Sequence, residues 1–455
     1  GEPVWGWVPP RIARDLGLGR HGLEVRQPDP WVAAPLPQGG RLELSTHVGR
    51  AAEALARVSP ADARRWPEFC ARMHRLAGFL ERLYASPPPL PTGTGPGEWL
   101  RLAGLGRRFR ALGRTGMWDL LRVPPMSVWE LLDDWFESDV LKGLLGAGAV
   151  TGICRGPRSG GTGFLLLHRQ VGSPAGVFRP PAVGGPNGSG AEGVFARAAR
   201  ARGVEIRHQA RVVRVVVRED RVGGVVLESG EELAAPIVLS SADPRRTFLE
   251  LVDADALEPE FLHAVGHIRF RGVAARIALL LEGPPPFETL CLAPGLEYLE
   301  RAYDAAKYGR VSERPWIEAR AAGRDPAGRH RVMVHVQYAP YRLRDGGWDQ
   351  ARREALGDLA VGLLGERAPE LPPRIVGREV STPADLEARY GLTEGSWDHG
   401  ELGLDQILFM RPVPGWAHYR TPVRGLYLCG AGAHPGGGIL GGPGRLAAQT
   451  ALREG

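Results

Sequence analysis

The residues best suited to chemistry lie towards the C-terminal end, in Gly425-Leu-Tyr-Leu-Cys-Gly-Ala-Gly-Ala-His434-Pro-Gly-Gly-Gly438-Ile-Leu-Gly-Gly-Pro-Gly-Arg445 and the small-residue run that follows to Leu452. Leu426 to Cys429 is a short apolar run, as expected of a strand buried on both faces. Gly430 to Gly442 is dense in glycine, and Pro443 to Leu452 opens on proline and continues in small residues, as a closely packed helix does. Strand, glycine loop and helix N-terminus together make an anion site. Bare backbone lets N–H groups approach a ligand, and the helix adds the positive end of its dipole. Three consecutive glycines after His434-Pro435 carry an entropic penalty that a simple turn does not require.

Other chemistries find less support. No G-x-S-x-G elbow follows a strand, and Gly188-Ser-Gly190 is too short and precedes a helix. Cys70, Cys154, Cys291 and Cys429 are far apart, without CxxC or zinc spacing, and read as free thiols of a reducing compartment. His330 and His335 are not at ligand spacing, so no metal is expected. Gly17-Leu-Gly-Arg-His-Gly22 has the literal G-x-G-x-x-G spacing, but no apolar strand precedes it, so it is not a dinucleotide fingerprint.

The elements that must position this loop are legible in part. Residues 45 to 86 carry apolar residues at three- and four-residue spacing, with a second helix starting at Ser59-Pro60 and a proline-rich stop at 87 to 91. Gly93 to Gly116 reads as a connection or loose helix, and Ser127 with Glu130 as a capping box. These helices are expected to cap a cavity. His168 follows an apolar run and is more simply a packed residue than a ligand-facing one. A second capping box, Ser189 with Glu192, opens a helix that ends near Gly203. Strands are expected at Val204 to Ile206, at Val212 to Val217, at Val222 to Leu227 and, buried and parallel, at Ile237 to Ser241. Further on, Val273 to Leu281 and Val332 to Gln337 read as strands, and Glu297 to Tyr308 and Trp348 to Leu364 as helices.

The motif Tyr427-Leu-Cys-Gly-Ala-Gly-Ala-His434-Pro-Gly-Gly-Gly438 resembles the C-terminal flavin motif of the phytoene desaturase-like FAD oxidoreductases. Within them it is most similar to the pyridine nucleotide-disulphide oxidoreductase domain-containing branch, with carotenoid isomerases and retinol saturases more distant. Blocks at Pro383 to Leu392, His399-Gly-Glu401, Asp405-Gln406 and Arg411-Pro412 extend the likeness from about Pro10 onwards. The resemblance implies an α/β fold in which an FAD-binding, Rossmann-like domain of the glutathione-reductase class is interleaved with a mixed α+β substrate domain. It also implies FAD as cofactor. Adenine would meet Val212, mainly through backbone. The return strand would contribute Ser241 and Ala242, and the loop Gly430, Ala431, Gly432, Gly436, Gly437, Gly438 and Ile439. His434 would lie near the flavin, polarising the ring or shaping the loop, and is the candidate catalytic residue. The family's N-terminal GxGxxG unit has no match here and is expected to lie outside this chain.

The expected organisation is thus a remnant of the FAD domain at 1–45, a mostly helical region at 46–182, the second half of the FAD domain at 183–245, a substrate domain at 246–415 and the closing FAD motif at 416–455. The expected function is hydride transfer between flavin and a C–H or C=C of an apolar, isoprenoid- or lipid-like substrate. A redox-neutral FAD isomerase and a non-catalytic scaffold are the alternatives. The 455 residues are 43% hydrophobic and 24% charged, with a net charge of +6, a globular composition needing two domains or more. Arginine is spread evenly and Lys142 and Lys307 are the only lysines, which argues against a nucleic-acid stripe but leaves room for weak attraction to anionic membranes. No apolar run approaches roughly 18 residues, so a cytoplasmic or peripheral protein is expected.

Overall fold

The computed structural model describes residues 4–90, 95–186 and 190–454. In chain order, β1 (Val4–Trp5), α1 (Pro10–Asp15), β2 (Glu24–Arg26), β3 (Val32–Pro35) and β4 (Arg41–Leu44) precede a helical stretch. That stretch comprises α2 (Val48–Ala56), α3 (Pro60–Tyr84), α4 (Pro96–Arg110), α5 (Gly113–Arg122), α6 (Val128–Asp133), α7 (Asp139–Val150) and α8 (Thr162–Gln170). Next come β5 (Ala182–Gly184), α9 (Ala191–Arg200), β6 (Val212–Arg218), β7 (Arg221–Leu227), β8 (Glu232–Ala234) and β9 (Val238–Ser240). They are followed by α10 (Pro259–Gly266), β10 (Ala274–Leu281), β11 (Thr289–Leu292), α11 (Leu296–Lys307), β12 (Ile317–Arg324) and β13 (His330–Gln337). The chain closes with α12 (Gln350–Gly365), β14 (Ile375–Ser381), α13 (Pro383–Tyr390), β15 (Leu426–Leu428) and α14 (Gly442–Glu454).

The largest sheet is antiparallel, in the order β11-β12-β13-β10-β14. Its apolar alternation places Ile277 opposite Val334 and Leu279 opposite Val332, and these residues share a core with Leu356, Ala360 and Leu364 of α12. A three-stranded sheet, β1-β5-β2, joins the N-terminal segment to residues 182–184. The meander β6-β7-β8 forms as expected, and its tight turn places Glu219 and Asp220 at positive φ (48° and 60°), the backbone of a hairpin turn that follows the strand twist. Sequence-distant β9 and β15 pair in parallel.

The helical stretch is held by aromatic rings that meet edge to face. Phe69 meets Phe136 at 4.9 Å and Trp135 at 5.4 Å between ring centroids, and Trp66 meets Phe178 at 6.2 Å. Such contacts add about 1 kcal/mol each beyond area burial. Ser59 caps α3 by accepting from the Asp62 N–H, and Ser127 and Glu130 close the expected capping box on α6. Asp62 is fully buried, and its carboxylate accepts from the N–H groups of Glu137 and Ser138, both at 2.8 Å, tying α3 to the start of α7.

Several expectations differ from the structure. Val204 to Ile206 is not a strand. Val204 is exposed and no ladder partner exists among the described residues, and the two β-branched residues of this three-residue stretch cannot form a strand without one. The strand at 237–241 forms but is not buried, since Ile237 and Leu239 are both exposed. The stretch to Gly116 is two regular helices, α4 and part of α5, not a loose connection. Ser189 lies outside the described residues. α9 is capped by Gly190, which has no side chain to close a box. Among the described residues no helix is long and apolar enough to cross a membrane, and no cluster of His, Cys, Asp or Glu is built to hold a metal.

Asp62→Ala removes both charge-assisted bonds and leaves two N–H groups without an acceptor. The expected outcome is a loss of about 3 kcal/mol, read as a lower urea midpoint at unchanged slope.

Candidate functional site

The site begins where β9 and β15 end. Leu426 pairs with Val238 and Leu428 with Ser240, and the Cys429 N–H donates to the Ser240 carbonyl at 2.9 Å. The two chains leave the sheet so close together that a Cβ on Gly430 would lie 2.4 Å from the Ser241 carbonyl oxygen, and one on Gly432 would lie 2.4 Å from Pro244 Cδ. Inside the loop, the Ala433 N–H donates to the Gly430 carbonyl and the Gly436 N–H to the Ala433 carbonyl. The N–H groups of Gly430, Ala431 and Gly432 find no acceptor among the described residues. A row of open amides beyond the carboxyl ends of two parallel strands is an anion-binding arrangement.

The loop is fixed from behind by Arg411, whose buried guanidinium is surrounded by carbonyls. Its Nε and Nη2 donate to the Ala431 carbonyl at 2.9 and 2.7 Å, and Nη1 donates to those of Gln406 and Glu401 at 3.1 and 3.3 Å. Nη2 also donates to the Asp398 carbonyl. Burial pushes the guanidinium pKa down to about 10, so the group stays charged at neutral pH. Its role had no signal in the sequence, where Arg411-Pro412 stood out only as a block of resemblance. One arginine among dozens does not announce that it is buried.

The same segment meets the far side of the loop. A Cβ on Gly437 would lie 1.8 Å from Asp398 Oδ1, and one on Gly436, where φ is +100°, would lie 2.9 Å from Leu402 Cδ2. Within the chain, Asp398 and Leu402 thus stand where a side chain at either glycine would lie. Gly438 and Ile439 face the N-terminal segment. The Trp7 N–H donates to the Gly438 carbonyl and the Leu440 N–H returns to the Trp7 carbonyl, both at 2.8 Å.

Two histidines clamp the loop to the helices. His168 Nε2 donates to the Gly437 carbonyl at 3.0 Å, and the Tyr84 hydroxyl donates to His168 Nδ1 at 2.9 Å. A carbonyl can only accept, so the neutral ring carries its proton on Nε2. Burial drives the His168 pKa down to about 4. His434 is completely buried, edge-on to the Tyr84 ring at 5.9 Å. The backbone of Leu83 and Ser86 lies close to its ring without closing a hydrogen bond of ordinary geometry, and burial drives its pKa down to about 3. Of the other residues singled out from the sequence, Ser241 and Ala242 stand at the end of β9 beside Gly430, whereas Val212 opens β6 in a separate sheet, paired with Leu227.

A cleft of about 830 Å³ opens between β1-β5-β2 and the β11–β12 side of the large sheet. Trp5 and Trp31 form its apolar walls, and Arg320 stacks on Trp5 at 4.1 Å. Arg179 donates to the Trp31 carbonyl at 2.7 Å, and Arg179 and Arg320 share the buried carboxylate of Glu318. Only Gly6 lies between Trp5 in the cleft and Trp7 at the glycine loop, two steps or about 7 Å of extended chain. No motif pointed to this cleft, because its walls come from four distant segments. A smaller pocket beside Trp129 and Lys142, about 390 Å³, has no contact with the loop residues.

No family model matches the chain. Among curated proteins it is 34% identical to pyridine nucleotide-disulfide oxidoreductase domain-containing protein 2 of Rattus norvegicus over 486 aligned positions, covering 98% of this chain and 83% of the relative. It is 25% identical to hydroxyneurosporene desaturase of Rubrivivax gelatinosus, with 90% and 75% covered. Among solved structures, wild-type putrescine oxidase bound to putrescine matches with a TM-score of 0.58 at 14% identity, covering 99% of this chain and 87% of that one, a likeness of fold.

His168, His335 and His434 are all held neutral by burial, with pKa values down to about 4, 4 and 3 against 6.5 when free. The unfolded chain takes up protons first, so their contribution is intact above pH 6.5 and is lost as pH falls towards 4. For His168 alone the loss approaches about 3 kcal/mol. Urea midpoints measured from pH 7 to 4 are expected to fall across that window, and to fall less steeply in His168→Gln.

Proposed function

The chain belongs to the family of pyridine nucleotide-disulfide oxidoreductase domain-containing protein 2, and from that premise we propose that it is an FAD-dependent oxidoreductase of the phytoene desaturase-like type, moving hydride between flavin and a C–H or C=C of an apolar substrate. Its α/β fold is that of FAD-binding oxidoreductases, with a mixed substrate domain interleaved. The observation that carries the cofactor reading is the row of open N–H groups at Gly430, Ala431 and Gly432. Their donor character suits the oxygens of a dinucleotide, and the N-terminus of α14 adds its dipole.

When bound, flavin supplies the hydride-accepting ring, and the protein has only to bind, orient and exclude water. Gly430 to Gly432 would hold the cofactor through backbone, with Ser241 and Ala242 at the neighbouring strand end and Val212 at the adenine. Gly436, Gly437, Gly438 and Ile439 keep the loop against Asp398, Leu402 and Trp7. His434, enclosed and neutral, suits the role of shaping the loop better than that of exchanging a proton. Trp5 and Trp31 offer flat apolar walls to a substrate in the cleft two residues from the loop.

Titration of the purified chain with FAD is expected to quench flavin fluorescence and saturate at one flavin per chain. A chain that neither carries nor takes up FAD overturns the reading. Anaerobic addition of substrate is expected to bleach the bound flavin, while turnover from reduced flavin without net oxidation would indicate the isomerase instead.

A peripheral membrane contact fits α4 and α5. Trp99 and Trp118 are 64% and 66% exposed, with Leu100 and Leu121 also bare, and Arg101, Arg107, Arg108, Arg110 and Arg114 lie on the same two helices. Apolar and cationic side chains together suit the interface of an anionic bilayer. The protein is expected to sediment with vesicles containing phosphatidylserine and not with neutral ones. Trp99→Ser with Trp118→Ser is expected to release it, and equal recovery with both vesicle types would sink the idea.

A further inference from the structure

The cleft beside Trp5 is built for more than an apolar molecule. Five arginines line it (Arg26, Arg179, Arg320, Arg324 and Arg331) against the carboxylates of Glu24 and Glu288, with Glu318 buried behind. Arg26 is spent on Glu24, and Glu318 is shared between Arg179 and Arg320, so one carboxylate faces two guanidiniums. Among the described residues neither Arg324 nor Arg331 has a carboxylate within ion-pair distance. The cleft therefore keeps an excess of positive charge.

Its buried polar atoms point the same way. Four lining residues carry enclosed donors or acceptors with no partner: the Gln27 side-chain amide at both atoms, Trp31 Nε1, Thr289 Oγ1 and Arg331 Nε. Trp31 and Thr289 are 3% and 6% exposed. Buried polar groups are almost always satisfied, so several unsatisfied ones around a single cleft mark a place where something else completes them. Of the five orphan atoms three are N–H donors, one is a hydroxyl and one, Gln27 Oε1, is an acceptor, so donors predominate, a set that suits an acceptor-rich group. Arginine in a partly desolvated wall is the side chain best matched to a carboxylate or phosphate.

We propose that the Trp5–Trp31 cleft takes an apolar molecule ending in an oxyanion, a carboxylate or a phosphate, with the head at Arg331 and Arg320 and the body between the two indoles. The proposal rests on the reading of this cleft as substrate space and narrows the substrate from a plain hydrocarbon to an acid or ester-phosphate of one.

The test is calorimetric binding of dodecanoate, dodecyl phosphate and dodecanol below their aggregation limits, to the full chain with and without FAD. At least one of the two anions is expected to bind at least about tenfold more tightly than the alcohol, and the tighter of them identifies the head. Arg331→Gln, which breaks no ion pair, is expected to weaken anion binding about tenfold and leave dodecanol unchanged. Arg324→Gln, at an exposed position, is a second variant with the same expected direction. Arg107→Gln on α4 is expected to change nothing, which separates the cleft from the general basic surface. Equal affinity for alcohol and both acids, or indifference to both cleft variants, overturns the proposal. So does displacement of the anion by FAD, since the cleft would then belong to the cofactor. A chain that binds the anions but shows no flavin chemistry would sink the oxidoreductase reading and leave the anion site standing.

Discussion

A buried guanidinium surrounded by backbone carbonyls is a demanding arrangement. Arg411 has left water, and what keeps its charge is the ring of oxygens from Ala431, Gln406, Glu401 and Asp398. Those oxygens come from the 398–406 segment and from the glycine loop, so the cation fixes the two relative to one another. Because Ala431 gives its carbonyl to Arg411, the strand end is held from its acceptor side, and the amides of Gly430 to Gly432 remain free to donate. The arrangement that leaves these amides open depends on this one interaction.

The opposite wall of the loop uses neutrality instead of charge. Tyr84 at the end of α3 and His168 in α8 form a hydroxyl–imidazole–carbonyl relay that ends on Gly437. With the Tyr84 hydroxyl as donor the Nδ1 lone pair must be free, and burial keeps the imidazole in that uncharged state. The helices that present these two side chains are set in turn by the aromatic stack around Trp66 and Phe69 and by the Asp62 carboxylate. The distance from Asp62 to the glycine loop is thus spanned by rigid helix, and packing in the helical layer becomes geometry at the loop.

The cleft and the loop are two ends of one extended segment. Trp7 is stitched to Gly438 and Leu440, Trp5 forms a wall of the cleft, and Gly172 leaves no space between itself and the Trp7 ring. A ligand pressing on the Trp5 indole acts on a strand whose next turn of backbone is hydrogen-bonded to the loop. Cleft and glycine loop are joined here by covalent continuity over two backbone steps, not by a long chain of contacts.

The sequence determined the local objects. Strand, glycine loop and helix at 425–452, the capping box at Ser127, the meander from 212 to 234 and the alternating strands at 274–281 and 330–337 all rest on periodicity or on glycine and cap chemistry within a few residues, which local physics fixes. The family likeness was legible for the same reason, in a contiguous motif around His434. What only the tertiary structure decided are relations between distant residues: that Gly436 and Gly437 are bare because Leu402 and Asp398 stand against them, that Arg411 is buried, and that Val204 to Ile206 has no partner to make it a strand. The cleft belongs to that group as well. Its arginines are separated by up to three hundred positions, and their convergence exists only once β12 and β13 are placed beside the N-terminal sheet. Residue type and spacing carry no information about which charges will face each other across a fold, because that is settled by how the sheets pack.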